Sequence, residues 1–217
     1  CTLWFFDKRK SEELQDKVLF IDARNYYTVV DRTLNEWSDW QLKNLNAIVW
    51  LYRGETDEYR ELISDYYTAL ESDDDFASIK DALEKKIQDK QKEAKEAVEA
   101  AKRKEKKVVQ AKFDEEIAAL DEKLTIAKEA IWLTEKFGEG IYADIPGLCK
   151  VADHKTILEE KGASLTPGAY VGVAPEEDDG VDFTERMKEI HQELLKLQKE
   201  SNELMETILK DMEEMGV

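Results

Sequence analysis

The apolar positions of this chain change rhythm several times, and each rhythm predicts a different element. Residues Cys1 to Asp7 are apolar on both faces (Leu3, Trp4, Phe5, Phe6), and Lys17 to Asp22, KVLFID, reads the same way. Continuous apolar runs of this length suit strands covered on both faces. The polar DKRKSEELQD between them, apolar only at Leu14, predicts an antiparallel hairpin. A two-stranded ribbon is marginal alone. The pair is therefore expected to belong to a larger sheet, or else to pack on the helices that follow.

The period then becomes helical. Ser38-Asp39-Trp40-Gln41 has the S-x-x-Q form of a capping box, in which both side chains satisfy free N–H groups at a helix start. Leu42, Leu45, Ile48, Val49 and Tyr52 follow at helical spacing, with a stop expected near Gly54. A second helix is expected from about Asp57, carrying Tyr59, Leu62, Ile63, Tyr66, Tyr67 and Leu70. The run Asp73 to Asp75 offers the start of a third.

From Phe76 to Phe137 there is no Gly and no Pro. Ile79, Leu83 and Ile87 mark one apolar block, fading into Ala94, Ala97, Val98 and Ala101. Phe113, Ile117, Leu120, Leu124, Ala127 and Ile131 mark a second, in regular steps of four and three. Each block needs a partner, so a fold-back near the KRKEKK run (Lys102 to Lys107) is expected to pair them as an antiparallel hairpin. A single long helix is the alternative, favoured by the missing turn residues.

Residues 138–175 hold most of the Gly and Pro. A short helix is expected from Asp153 to Lys161, closed by Gly162, and SLTPGAYVG (Ser164 to Gly172) reads as a turn followed by an extended segment. Asp182-Phe183-Thr184-Glu185 then starts a helix expected to reach about Met215. Its seam is Phe183, Met187, Ile190, Leu194, Leu197, Ser201, Leu204 and Ile208, apolar at every position but Ser201. Covering that seam is worth roughly 10–20 kcal/mol gross, before entropy. The seam calls for a partner helix, from this chain or another. These shifts divide the chain at 1–30, 31–75, 76–137, 138–175 and 176–217. The fold class is α+β, predominantly α-helical.

Composition narrows the function classes. Fifty acidic against 32 basic side chains in 217 residues give a net charge of −18, which disfavours a dedicated nucleic-acid grip. The charge is uneven: residues 176–217 hold 14 acids and 5 bases, whereas 85–112 hold 5 acids and 11 bases. The basic run at Lys102–Lys107 could touch phosphates. Interleaved acids (Glu93, Glu96, Glu99, Glu105) and the lack of aromatics point instead to a solvated arm tip. His154 and His191 lack metal spacing, EEDDG lacks the order of a calcium loop, and neither Cys1 nor Cys149 sits in a nucleophile pattern. No apolar run reaches a membrane span and no signal peptide is evident, so a cytoplasmic protein is expected. The chain starts on Cys1 inside an apolar run, which suggests a piece of a longer protein.

Four strings, in order, carry a resemblance. DIPGLCK (Asp144 to Lys150), LTPGAYVGV (Leu165 to Val173), an acidic spacer (Glu176 to Asp179) and a long terminal helix resemble the C-terminal end of the modification subunit of type I restriction–modification systems. VDRTLNEWSDWQLKNLNAIVWLYRGE (Val30 to Glu55) resembles the segment after that family's methyltransferase core. CTLWFFDK and KVLFIDAR resemble the last two strands of its Rossmann-like sheet. The resemblance covers roughly residues 1–70 and 140–217; the arm fits less distinctively.

The resemblance implies a parent that is an N6-adenine DNA methyltransferase using S-adenosylmethionine. It implies two modification subunits per specificity subunit, a restriction subunit in the full complex, and DNA bound through that complex. It implies that the family's glycine-rich cofactor motif and its Asn-Pro-Pro-Phe-type catalytic motif precede the position of Cys1. Neither occurs in this sequence, so no catalytic, cofactor or metal residue is assigned and this chain alone is expected to be inactive. Phe183, Met187, Ile190, Leu194, Leu197, Leu204 and Ile208 are the expected contact with the specificity subunit, or with the chain's own arm. The competing reading is a non-enzymatic coiled-coil scaffold with a small globular base.

Overall fold

A computed structural model describes residues 2–32, 34–102 and 106–174, and in the terminal stretch residues 187, 191, 193, 194, 196–199, 201, 202 and 205. The chain divides into two units, Cys1–Ala174 and Pro175–Val217.

In the first unit the capping box forms as the sequence predicts. The Gln41 N–H donates to Ser38 Oγ at 3.2 Å, and the Ser38 N–H donates to Gln41 Oε1 at 3.1 Å. Helix α1 runs Asp39–Arg53 and closes on Gly54 at φ 77°, a left-handed conformation that glycine adopts without a Cβ penalty. Helix α2 runs Thr56–Leu70 and buries Tyr59, Leu62, Tyr66 and Leu70. Asp75 caps α3 (Phe76–Ala100) by accepting from the Ser78 N–H at 2.9 Å.

The fold-back of the arm is observed. Helix α4 runs Lys106–Phe137, and Lys90 of α3 pairs with Glu116 of α4 at 2.9 Å while Lys123 pairs with Glu71 at 2.7 Å. Glu71 belongs to the end of α2; the antiparallel course of α3 and α4 follows from their side-by-side packing across the short break between Ala100 and Lys106. Ile79, Leu83 and Ile87 are buried along α3; on α4 the buried positions are Ile126, Ala127, Ala130, Leu133 and Phe137.

The predicted hairpin of Cys1–Asp7 with Lys17–Asp22 is not formed. Strand β1, Lys17–Ile21, pairs antiparallel with Cys149–Asp153, from Lys17 opposite Asp153 to Ile21 opposite Cys149. A minor ribbon, β2 (Thr28–Val29) with β3 (Asn35–Glu36), lies between, which makes Cys149–Asp153 strand β4. Both faces of β1 are covered, as its apolar run required. Leu19 and Ile21 pack on the helical core, while Val18 and Phe20 pack on Ala152, Ile157, Tyr170 and Val171. Thr2–Asp7 forms no strand, and Phe5 and Phe6 are 90% and 85% exposed. The local pattern named the nearer apolar run as partner; the one selected lies 128 residues beyond β1 in sequence.

Helix α1 also differs from its predicted seam. Leu42 is 42% exposed, and the buried face is Gln41, Asn44, Ala47, Ile48 and Leu51. The face is turned because its two polar members are fully engaged. Asn44, with 0% exposure, donates from Nδ2 to the Tyr26 hydroxyl at 2.9 Å and to the Glu129 carbonyl at 3.0 Å. Its Oδ1 accepts from the Tyr66 hydroxyl at 2.8 Å. The Glu129 carboxylate accepts from Gln41 Nε2 at 3.0 Å and from the Tyr26 hydroxyl. Rings close the cluster: Tyr26 stacks on Trp132 at 4.0 Å, and Trp40 on Tyr66 at 4.4 Å. One cluster thus joins α1, α2, α4 and the loop after β1. Among the described residues no buried side-chain nitrogen or oxygen lacks a partner.

Two expectations follow. Asn44→Ala leaves the Tyr66 hydroxyl without its acceptor and takes a donor from the Tyr26 hydroxyl and from the Glu129 carbonyl, and should lower unfolding free energy by about 2–4 kcal/mol in urea titration. The second concerns pH. Burial pushes Tyr59, whose hydroxyl donates to the Gly138 carbonyl at 2.8 Å, up to about 12, and raises Tyr26 and Tyr66 as well. An unfolded tyrosine titrates near ~10, so the fold favours the neutral phenols. The contribution of Tyr59 is complete below about pH 10 and is lost as pH rises through about 12; those of Tyr26 and Tyr66 fall in the same direction. The urea midpoint should fall across that window, and Tyr59→Phe should flatten the fall.

Candidate functional site

The seam predicted to bind a partner lies in the second unit. Met187, Leu194 and Leu197 are helical and 49%, 59% and 53% exposed. The step of seven between Met187 and Leu194 is the sequence spacing of one helical face, which Leu197 and Ser201 continue. Phe183, Ile190, Leu204 and Ile208 lie outside the described residues.

The first unit brings together strings that are far apart in sequence. The tail of DIPGLCK becomes β4 and pairs with the strand of KVLFIDAR. The Gly147 N–H donates to the Val171 carbonyl at 2.8 Å, tying DIPGLCK to LTPGAYVG. The extended segment predicted after Pro167 is not formed. Gly168–Val171 is a single helical turn, α5, because the φ of −52° at Pro167 suits a helix start. That turn carries Tyr170 onto Phe20, stacked at 3.8 Å with rings 5° from parallel. Gly168 lies under the Arg24 guanidinium, where a Cβ would come within 2.9 Å of Nη2. Arg24 grips Asp22 through Nε to Oδ1 at 2.9 Å and Nη2 to Oδ2 at 2.7 Å, and holds that carboxyl below its usual range. These strings are therefore packing partners around the β1–β4 ribbon.

The helix expected at Asp153–Lys161 starts later, since Asp153 closes β4. A π-helical turn covers Thr156–Glu160, with Asp153 Oδ1 accepting from the Thr156 N–H at 2.7 Å. Cys149 is fully buried, and burial raises its thiol, the opposite of an activated nucleophile. Among the described residues no group of three His, Cys, Asp or Glu side chains could hold a metal ion, and no helix is long and apolar enough to cross a membrane.

Two open concavities among the described residues bear on a ligand site. One, about 550 Å³, lies where α2, α3 and α4 meet and is lined by Tyr59, Ile63, Tyr67, Phe76, Ile131 and Glu135. The other, about 480 Å³, is lined by Arg24, Tyr27, Asn35, Glu36, Trp37 and Leu42. Neither β1 nor β4 leads into a glycine-rich turn of the kind that cradles a nucleotide-like cofactor. The turns after β1 and β4 do not fit S-adenosylmethionine, and no catalytic step is assigned to the described residues. The exposed Val29, Val30, Leu34 and Trp37 around the β2–β3 ribbon escaped the sequence reading. Only the polar Asp31-Arg32 between apolar neighbours could have signalled that turn.

If packing fixes the DIPGLCK string, Gly147→Ala should be costly. Gly147 has φ 78°, and a Cβ there would lie 2.6 Å from the Ala174 backbone nitrogen. A loss of about 1–3 kcal/mol is expected in urea titration.

No family model and no solved structure matches the chain. The chain is 26% identical over 215 residues to the type I restriction enzyme MjaIX methylase subunit of Methanocaldococcus jannaschii, a match covering 99% of this chain and 24% of that protein. It is 39% identical over 75 residues to the type I restriction enzyme HindI methylase subunit of Haemophilus influenzae, covering 35% of this chain and 17% of that protein. The chain thus spans a quarter or less of the length of these relatives. With KVLFIDAR, DIPGLCK and LTPGAYVG meeting around one ribbon, and a match along 99% of this chain to such a protein, the chain is related to the methylase subunits of type I restriction enzymes.

Proposed function

We propose that this chain is the C-terminal region of the modification subunit of a type I restriction–modification system, an N6-adenine DNA methyltransferase that uses S-adenosylmethionine. The observation that carries the reading is the match to a methylase subunit along 99% of the chain. In this reading the cofactor and catalytic motifs belong to the rest of the subunit, and these residues alone are inactive. Residues 1–30 complete the catalytic core, 31–75 and 138–175 brace it, 76–137 form the arm, and 176–217 dock onto the specificity subunit. Two such subunits join one specificity subunit, and a restriction subunit completes the nuclease.

Two features of the first unit support the core assignment. Among the described residues β1 has β4 as its sole strand neighbour, and its other edge meets only side chains, the Lys17 carbonyl accepting from the Tyr52 hydroxyl at 3.2 Å, so no second strand covers that edge. Beside it in sequence, Leu3, Trp4, Phe5 and Phe6 are exposed. A self-contained scaffold would cover residues 1–22 itself; β1 is covered here, but Leu3 to Phe6 are not. An open edge and an uncovered apolar run are what a sheet continued by further strands requires.

The exposed face of Met187, Leu194 and Leu197 supports the docking assignment. In the full-length subunit co-expressed with its specificity subunit, Leu194→Asp with Leu197→Asp should abolish co-purification. Removing two buried leucines costs about 3 kcal/mol or more, a loss of roughly 100-fold in affinity. Both side chains are exposed here, so the circular dichroism of the variant should match wild type. Retention of the specificity subunit at the wild-type level would remove this helix from the interface.

A further inference from the structure

The arm is sorted by charge along its length. In the sequence, residues 100–112 hold six bases and one acid, within a chain of net charge −18. Nearer the body of the unit several lysines are engaged, Lys80 with Glu84, Lys90 with Glu93 and Glu116, and Lys123 with Glu71, while Lys85, Lys86 and Lys128 make no ion pair with a described residue. Toward the tip the unpaired lysines cluster, although Lys112 reaches Glu116 at 3.9 Å. The ammonium groups of Lys92, Lys95, Lys102, Lys106 and Lys107 make no ion pair with a described residue. Glu96 and Glu99 share this stretch without pairing to them, and Glu93, one of the interleaved acids, is taken by Lys90. The neutralisation that the sequence suggested is therefore incomplete.

Packing does not account for the tip. Beyond Ala94 no side chain of α3 is buried, and Val108 at the start of α4 is 73% exposed. At 1.5 Å per residue, α3 carries its end roughly 35 Å along its axis from Phe76. The arm thus holds out a set of uncompensated lysines well away from the aromatic cluster at its base.

We infer that the arm tip, through Lys95, Lys102, Lys106 and Lys107, contacts the sugar–phosphate backbone of duplex DNA. A duplex presents about one negative charge per 1.7 Å, and ammonium groups meet it as point charges without reading bases. No aromatic side chain lies between residues 92 and 112, so base stacking is not available and the contact is independent of sequence. The choice of DNA over an acidic protein surface rests on the proposed methyltransferase reading.

The test is binding of the 217-residue chain to a short fluorescent duplex of arbitrary sequence, titrated at about 50 to 200 mM salt. The variant Lys102→Gln/Lys106→Gln/Lys107→Gln should bind about 10-fold or more weakly at the low-salt end. Its slope of log affinity against log salt should be shallower by about 2–3, since each lost phosphate contact removes about 0.9. The charge-matched variant Lys128→Gln/Lys150→Gln/Lys161→Gln should keep the wild-type slope. Should the tip triple melt early, Lys107→Gln alone carries the test, with a slope change of about 0.9. An unchanged slope, no wild-type binding at low salt, or equal displacement by polyglutamate would each overturn the inference, the last in favour of an acidic protein partner. Failure here is separable from failure of the proposed function. The tip variant leaves the Leu194–Leu197 face intact and should still co-purify with the specificity subunit.

Discussion

The side chain of Asn44 has no exposure to solvent and yet spends every hydrogen-bonding group it has. An amide in that position is costly unless each group is matched. The matches come from Tyr26, Tyr66 and Glu129, on a loop and two other helices. Satisfying one residue therefore fixes the loop after β1, α2 and α4 against α1 together. Glu129 extends the constraint by accepting from Gln41, whose Oε1 also closes the capping box. The start of α1 and its docking are thus held by the same side chain. Apolar contact alone is non-directional and would tolerate a rotated helix; these bonds would not.

That anchoring positions the rest of the unit. The loop bearing Tyr26 is the continuation of β1, so the strand is placed over the helices where Leu19 and Ile21 can pack. The opposite face of β1 then receives Phe20's partner, Tyr170, from a turn beginning at Pro167. At the other end, α3 and α4 leave the core as a pair. The packing that holds them thins from Ile79 through Ile87 to Ala94, and charge takes over where burial stops. Burial, polar matching and charge each dominate a different part of one continuous structure.

Local chemistry was readable wherever a residue acts on near neighbours. Ser38 and Gln41, Gly54 and Asp75 do what their types and spacing require, and the heptad blocks folded back near Lys102–Lys107. The apolar run at Lys17–Asp22 announced a strand covered on both faces, and it is one. What failed was partner choice. Thr2–Asp7 is near in sequence and apolar, but the ladder was taken by Cys149–Asp153. The face of α1 was misread for a related reason: Gln41 and Asn44 count as solvent-facing until their distant partners are known. The docking face is a proposal drawn from its steps of four and three; of its residues Met187, Leu194 and Leu197 are described, and they are exposed.

The sequence by itself determined the four long helices and most of their ends, the strand at Lys17–Asp22, the uneven charge, and the four strings that point to type I modification subunits. Those properties depend on backbone propensity, capping and periodicity, which act over a few residues. The tertiary structure alone decided that β1 pairs with β4, that α1 turns Asn44 inward, that Gly147 and Gly168 sit where a side chain would collide, and which lysines of the arm go unpaired. Each of these depends on groups separated by tens to more than a hundred residues. Whether a polar side chain is buried at a cost or in a matched site, and whether a charge is compensated, is set by what the fold brings within about 3–4 Å of it.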